Sequence, residues 1–314
     1  MRAATIREKE IVIEEHPDPV PGAGEVLVRV HAAGLNGADM MQRRGLYPAP
    51  PGSPQDIPGM EFAGEVAQLG EGAERFAVGD KVMGIVGGGA QAELVTVNER
   101  QLMPVPQSLD WVQAGGLPEV FTTAHDALID QAELRSGEHL LVHGGAGGVG
   151  TAAIQLGNAI GARVTASVRN EQLRAQVAAL GGEVIAPEGF AERGPFDVIL
   201  ELVGAPNMSE NLQALATRGR ITVIGVSAGA TSELNLLALM GKRARIHGST
   251  LRARPPEEKA LAARRLEHEV LPLFEGSPPA LSVPIAQTFP LAEAAAAYDS
   301  FVAGGKLGKI VLTT

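Results

Sequence analysis

The chain has 314 residues, of which 45% are hydrophobic and 20% charged: enough apolar material for two domains, and too apolar for a disordered chain. A net charge of −10 argues against a nucleic-acid backbone or an anionic membrane as partner. With no cysteine, disulfides, cysteine nucleophiles and thiolate metal sites are excluded. The opening Met1-Arg2-Ala3-Ala4-Thr5 lacks a signal peptide's apolar core, and no apolar run approaches ~18 residues. A cytoplasmic protein without a membrane span is expected.

In chain order, residues 25–30 alternate as a half-buried strand, and 62–66, 81–86 and 92–97 follow the same pattern. Short strands between glycine- and proline-rich turns predict a β-rich, barrel-like unit over residues 1–118. The pattern then changes. Residues 140–150 read Leu-Leu-Val-His-Gly-Gly-Ala-Gly-Gly-Val-Gly and run into a predicted helix at 151–160. This strand, turn and helix carries Gly145-x-Gly147-x-x-Gly150. Glycine lets the backbone approach a pyrophosphate while turning sharply, and the helix's first N–H groups and dipole attract the phosphate charge. Gly145, Ala146, Gly147, Gly148, Val149 and Gly150 are therefore candidate dinucleotide ligands.

Further strands are predicted at 164–167, 184–185, 197–200 and 220–225, with an edge strand at 245–248 and a helix at 170–180. Strands alternating with helices predict an α/β, doubly wound parallel sheet. A charged helix is predicted at 257–274. Another, at 291–303, puts Leu291, Ala294, Tyr298, Phe301 and Val302 on one face. Residues 309–312 form a last strand.

NAD binders place Asp or Glu at the end of the second strand to hold the ribose 2′-hydroxyl. Here that strand ends Ala166-Ser167-Val168-Arg169-Asn170, without an acid. Arg169 is expected to pair with a 2′-phosphate and Ser167 to add a hydroxyl, which points to NADPH. The alternatives are a solvated Arg169 and a helix-capping Asn170. His125, His143 and His247 have no triad or ligand spacing and read as structural or surface residues.

Several motifs resemble one family. They are Gly34-Leu35-Asn36-Gly37-Ala38-Asp39, Met41-Gln42-Arg43-Arg44-Gly45-Leu46-Tyr47-Pro48, Ile57-Pro58-Gly59-Met60-Glu61-Phe62-Ala63-Gly64 and Gly308-Lys309-Ile310-Val311-Leu312. Together they resemble the zinc-free, zeta-crystallin-like quinone oxidoreductases of the medium-chain dehydrogenase/reductase superfamily, and look most like the tumour-suppressor-inducible branch. The resemblance implies a Rossmann domain at 119–254 and a discontinuous GroES-like catalytic domain at 1–118 and 255–314. It implies an NADPH-dependent, metal-free hydride transfer to a quinone. An enoyl or alkenal reductase and a non-catalytic structural or RNA-binding role are the alternatives.

Zinc-dependent relatives carry cysteine and histidine where this chain has Asn36 and Met60, so no metal is expected. The resemblance assigns Asn36, Asp39 and Tyr47 to catalysis, with Tyr47 orienting the substrate carbonyl or covering the nicotinamide. Asn36 is expected to donate to the oxygen that gains charge, and Asp39 to orient Asn36 or Tyr47. Thr123, Gly225, Val226, Ser249, Thr250 and Leu251 are expected at the cofactor. Members of the family hold the 2′-phosphate with a lysine and a tyrosine, matched here by Leu173 and Pro187, so the NADPH preference rests on Arg169 and Ser167, with Arg174. A homodimer joined near 245–248 is implied as well.

Overall fold

Two strands without a sequence signal lead the chain in the computed structural model, which describes all 314 residues. β1 (Arg2–Arg7) and β2 (Glu10–Glu15) pair antiparallel through Glu8 and Lys9, whose φ values of 51° and 70° are left-handed. Tight hairpin turns favour Asn or Gly there, so Glu-Lys gave nothing to read. Next come β3 (Glu25–Gly34), α1 (Gly37–Arg43), β4 (Glu61–Leu69), β5 (Lys81–Ile85), β6 (Leu94–Asn98), β7 (Leu102–Pro104), α2 (Trp111–Gly115) and α3 (Pro118–His125). The alternation at 25–30 predicted one buried face, yet Val26, Leu27 and Val28 are all buried. β3 is a central strand, with β4 on one edge and β6 on the other. Val26, Val28, Val30, Phe62, Val82 and Leu102 form the core beneath it.

The chain then builds β8 (His139–Val142), α4 (Gly148–Ile160), β9 (Arg163–Ser167), α5 (Glu171–Ala178), β10 (Glu183–Ile185), β11 (Phe196–Glu201), α6 (Met208–Ala214), β12 (Leu215–Val223), α7 (Leu236–Lys242) and β13 (Arg245–Gly248). Six parallel strands lie in the order β10-β9-β8-β11-β12-β13. This is a doubly wound sheet whose strand order reverses between β8 and β11, where such sheets bind ligands at the strands' carboxyl ends. The glycine turn follows β8. Asn170 caps α5, accepting the Gln172 N–H at 3.1 Å.

The last stretch holds α8 (Pro256–Arg265), β14 (Ile285–Pro290), α9 (Ala294–Ala303) and β15 (Lys309–Thr313). The helix predicted over 257–274 is not continuous. After Arg265 it widens into a π-helical turn, Leu266–Val270, and tightens into a 3-10 turn, Leu271–Phe274. Pro272 has no N–H to continue an α-helix. In α9, Ala294, Ala297 and Tyr298 pack on Leu35, Met40, Ile310 and Leu312, whereas Val302, expected on that face, is 52% exposed.

The chain divides into two units: Met1–Thr122, Leu251–Gly304 and Lys309–Thr314 in the first, Thr123–Thr250 and Gly305–Gly308 in the second. The fold is thus α/β, a doubly wound parallel sheet plus a β-rich unit. No helix is long and apolar enough to cross a membrane.

Candidate functional site

In the first unit, antiparallel pairing of β15 with β3 sets Val311 opposite Gly34, and the Leu35 N–H donates to the Ile310 carbonyl at 2.9 Å. That register brings Lys309 to Asn36. The Lys309 ammonium donates to the Leu35 carbonyl and Asn36 Oδ1, both at 2.7 Å, and lies 2.6 Å from Glu61 Oε1. Asn36 Nδ2 donates to the same Glu61 oxygen at 2.9 Å, and the Glu119 N–H donates to Glu61 Oε2 at 2.8 Å. Lys309, Asn36 and Glu61 are all buried. Gly34 makes this possible: a Cβ there would lie 2.4 Å from Glu61 Oε1 and 2.9 Å from the Gly115 carbonyl.

Sequence reasoning expected Asn36 to offer its amide to a substrate oxygen. Here both ends of that amide are engaged, by Glu61 and by Lys309. Zn²⁺ is poorly suited by these donors. The chain has no thiolate, Met60 stands beside Glu61, and the one carboxylate is neutralised by an ammonium at 2.6 Å. No three His, Asp or Glu side chains converge anywhere.

Asp39, in the first turn of α1, accepts the backbone N–H groups of Asn36 at 2.8 Å and Gly59 at 3.2 Å, and Gln91 Nε2 at 3.4 Å. It is fully buried, and burial pushes its carboxyl up to about 6, against these hydrogen bonds and the Lys309 and Arg252 charges. Asp39 therefore orients the Asn36 backbone. Its unfolded value is near 3.8, so the folded chain binds the extra proton between about pH 4 and pH 6. Stability from this group is present below that window and lost as pH rises through it. Between pH 4.5 and 7.5 the native protein is expected to lose about 2 kcal/mol relative to Asp39→Asn in urea denaturation. A pH-independent gap between the two would show that Asp39 does not titrate there.

Tyr47 follows α1 in an irregular loop and is half-buried. Burial pushes its phenol up, and the Arg252 guanidinium, 5.2 Å from the ring centroid, opposes that shift. Sequence reasoning missed Lys309 and Arg252 as parts of this cluster. Isolated basic residues in a strand and a loop carry no pattern of their own.

In the second unit, the Gly147 N–H donates to the Gly144 carbonyl at 3.0 Å, closing the turn, and Gly147 caps α4. The Thr151 N–H donates to the Gly147 carbonyl at 2.8 Å, leaving the N–H groups of Gly148, Val149 and Gly150 ahead of the first helical bond. Ala146 accepts the Gly308 N–H at 2.8 Å. Backbone donors arranged in this way can hold an anion as a cradle. Arg169, just past β9, is exposed, while Arg174 Nε donates to the Val168 carbonyl at 3.0 Å. Ser167, expected to face a phosphate, is buried and bonded to His143 Nδ1 at 2.9 Å.

His143 is the centre of a buried polar chain. Its Nε2 is 2.7 Å from Asn211 Oδ1, and Asn211 Nδ2 donates to Glu201 Oε2 at 2.7 Å. Glu201 Oε1 accepts the N–H groups of Val203 at 2.6 Å and Gly204 at 2.8 Å, and the Glu201 carbonyl accepts those of Ile224 and Gly225. Burial pushes the His143 imidazole down, against the pull of Glu201. The chain ties the ends of β8, β9 and β11, so His143 is structural, as its isolated position in the sequence implied. Gly225 and Val226 follow β12, and Val226 is exposed. Ser249 Oγ donates to Asp126 Oδ2 at 2.8 Å, Thr250 is exposed, and Thr123 is buried. Leu251 is buried in the first unit.

Two family models match the chain: the alcohol dehydrogenase GroES-like domain over residues 22–107 and the zinc-binding dehydrogenase domain over 148–267. A quinone oxidoreductase of Rattus norvegicus is 31% identical over 94% of this chain and 90% of its own. One from Pseudomonas aeruginosa is 34% identical over 93% and 92%. A mycobacterial protein solved as a complex with NADPH superposes with a TM-score of 0.87 over 100% of both chains, at 26% identity.

Proposed function

Since the chain belongs to the medium-chain dehydrogenase/reductase superfamily of oxidoreductases, we propose that it is an NADPH-dependent quinone oxidoreductase that works without a metal. One observation carries the cofactor assignment: an exposed Arg169, and no carboxylate, stands at the end of β9 beside the cradle. The name shared by the curated relatives supports a quinone as acceptor. In this reading the second unit holds the dinucleotide, with Gly145 to Gly150 at its pyrophosphate and Arg169, next to Asn170, at its 2′-phosphate. Gly225, Val226, Ser249 and Thr250 line its nicotinamide end, with Thr123. When bound, the nicotinamide supplies a hydride.

The first unit supplies position and electrostatics. Tyr47 orients the acceptor's carbonyl through its hydroxyl. Asp39 holds the Asn36 backbone, and Asn36, its amide engaged by Lys309 and Glu61, acts by holding that pair in place. Subunits pair as a homodimer along β13, the sheet's edge strand, beside the exposed Leu236, Leu237 and Met240 of α7.

NADPH oxidation followed with a soluble quinone, a conjugated enone and neither is the test. Quinone-dependent oxidation is expected, with a KM for NADPH well below that for NADH and raised about tenfold by Arg169→Ala. Equal Michaelis constants in the native protein would sink the NADPH assignment. Turnover of the enone alone would make this an alkenal reductase, and no turnover at all would remove the enzyme reading. Sedimentation of the same preparation should give twice the 32.6 kDa chain mass, and a monomer would sink the dimer.

A further inference from the structure

Arg252 is a buried cation with no carboxylate in ion-pair reach. It is 3% exposed, and its planar fork of donors is spent on the loop after β5, the loop after α1 and the side chain of Gln42 on α1. Nε donates to the Gly87 carbonyl at 2.7 Å, Nη1 to the Tyr47 carbonyl at 3.1 Å, and Nη2 to Gln42 Oε1. Gln42 passes the tether on: its Nε2 donates to the Gln55 carbonyl at 3.1 Å. Gln55 Nε2 in turn donates to the carbonyls of Ala49, Pro50 and Ser53. The loop between α1 and β4 has no ladder of its own, so this chain of side-chain bonds sets its path. The same guanidinium lies 5.2 Å from the centroid of the Tyr47 ring.

The two tyrosines differ in how they are held. Tyr298 is fully buried and donates its hydroxyl to Gln91 Oε1 at 2.9 Å. Tyr47 is fixed from behind, at its carbonyl and its ring face, while its hydroxyl makes no hydrogen bond within the protein. A buried cation that holds a phenol by backbone and ring and leaves the hydroxyl open suits a group that must meet a ligand.

From this geometry we infer that Arg252 is a positioning residue for Tyr47, fixing both where the phenol stands and how readily it gives up its proton. The inference rests on the reading of Tyr47 as the residue that meets the quinone carbonyl. The planar fork sets the position, because its donors sit on three separate nitrogens that meet Gly87, Tyr47 and Gln42 at once, whereas an ammonium offers its donors from a single nitrogen. The charge sets the proton affinity. A cation against the ring favours the phenolate and opposes the effect of burial. Glu119 acts on Tyr47 in the opposite sense, Asp39 faces Arg252, and Lys259 is the other cation nearby.

The two roles separate by substitution. In a Tyr298→Phe background Tyr47 is the sole tyrosine, so absorbance at 295 nm reads its ionisation directly. Arg252→Gln removes charge and fork. It is expected to raise the KM for a soluble quinone about fivefold or more, and to move the Tyr47 titration to higher pH by about half a unit or more. Arg252→Lys keeps the charge and loses the fork, so the titration should return towards the native value while the KM stays raised. That split distinguishes positioning from general loosening of the fold.

Tyr47→Phe is the companion measurement. If it changes quinone kinetics but Arg252→Gln moves neither the KM nor the titration, the inference is overturned and the reading of Tyr47 stands. If Tyr47→Phe leaves quinone kinetics unchanged, the reading of Tyr47 fails and the inference falls with it. Should Arg252→Gln not fold, Arg252→Lys decides alone, and a native quinone KM in that variant overturns the proposal.

Discussion

Gly150→Ala is expected to lower stability by about 2–3 kcal/mol, and Gly147→Ala by less than about 1 kcal/mol, although the two glycines are three residues apart in one turn. A Cβ on Gly150 would lie 2.3 Å from the Gly144 carbonyl oxygen and 2.8 Å from Gly145 Cα. Both are backbone atoms, and neither can rotate away. The start of α4 or the turn itself must shift. At Gly147 the nearest atom would be the Gly144 oxygen at 3.5 Å, an ordinary contact, and φ is −77°, which alanine adopts freely. The order of effects should reverse for the dinucleotide. Gly147 is the N-cap of α4, so a methyl group there adds bulk next to the helix's first N–H groups and is expected to raise the dissociation constant for NADPH about tenfold or more. Thermal denaturation and NADPH titration of both variants read the two effects apart. Equal melting temperatures would mean that the turn relaxes around a Cβ at Gly150, against the close approach described above.

This turn was readable in the sequence because the requirement is local. The space beside Gly150 forbids a side chain, so the fold writes itself into the residue type at fixed spacing. The alternation of strands and helices from 140 to 248 was readable for a similar reason, since each buried strand needs its own short apolar run. The polar cluster of the first unit was not. Lys309 and Asn36 are 273 positions apart, and Asn36 and Glu61 are 25 apart. The β15–β3 register joins the first pair and the β3–β4 pairing the second, and nothing in Gly308-Lys309-Ile310 states the former. Asn36 was singled out, but its amide was expected to be open, because the sequence does not reveal that a lysine will arrive to occupy it. Ser167 failed in the same way: the residue after β9's last apolar position was found, and its bond to His143 was not. Pro272 could have been read as the end of the helix predicted over 257–274.

Lys309→Met is expected to be among the most destabilising single changes in the first unit, at about 3–5 kcal/mol. The pair it breaks is almost entirely withdrawn from water, with the two side chains 3% and 0% exposed and 2.6 Å apart. Methionine fills much of the lysine stem's volume, so the loss is mainly electrical. Glu61 would keep its hydrogen bonds from Asn36 Nδ2 and the Glu119 N–H but would lose the one cation that balances its charge. The Leu35 carbonyl and Asn36 Oδ1 would lose their donor as well. The double variant Glu61→Leu with Lys309→Met removes both charges at once, and a buried pair replaced by apolar groups is often close to neutral. It should therefore be clearly more stable than Lys309→Met alone, a non-additivity of about 1–3 kcal/mol for groups in contact. Urea denaturation of the native protein, both single variants and the double variant closes the cycle. Purely additive losses would mean that Lys309 acts through its hydrogen bonds to Leu35 and Asn36, and that the charge of Glu61 is balanced without it.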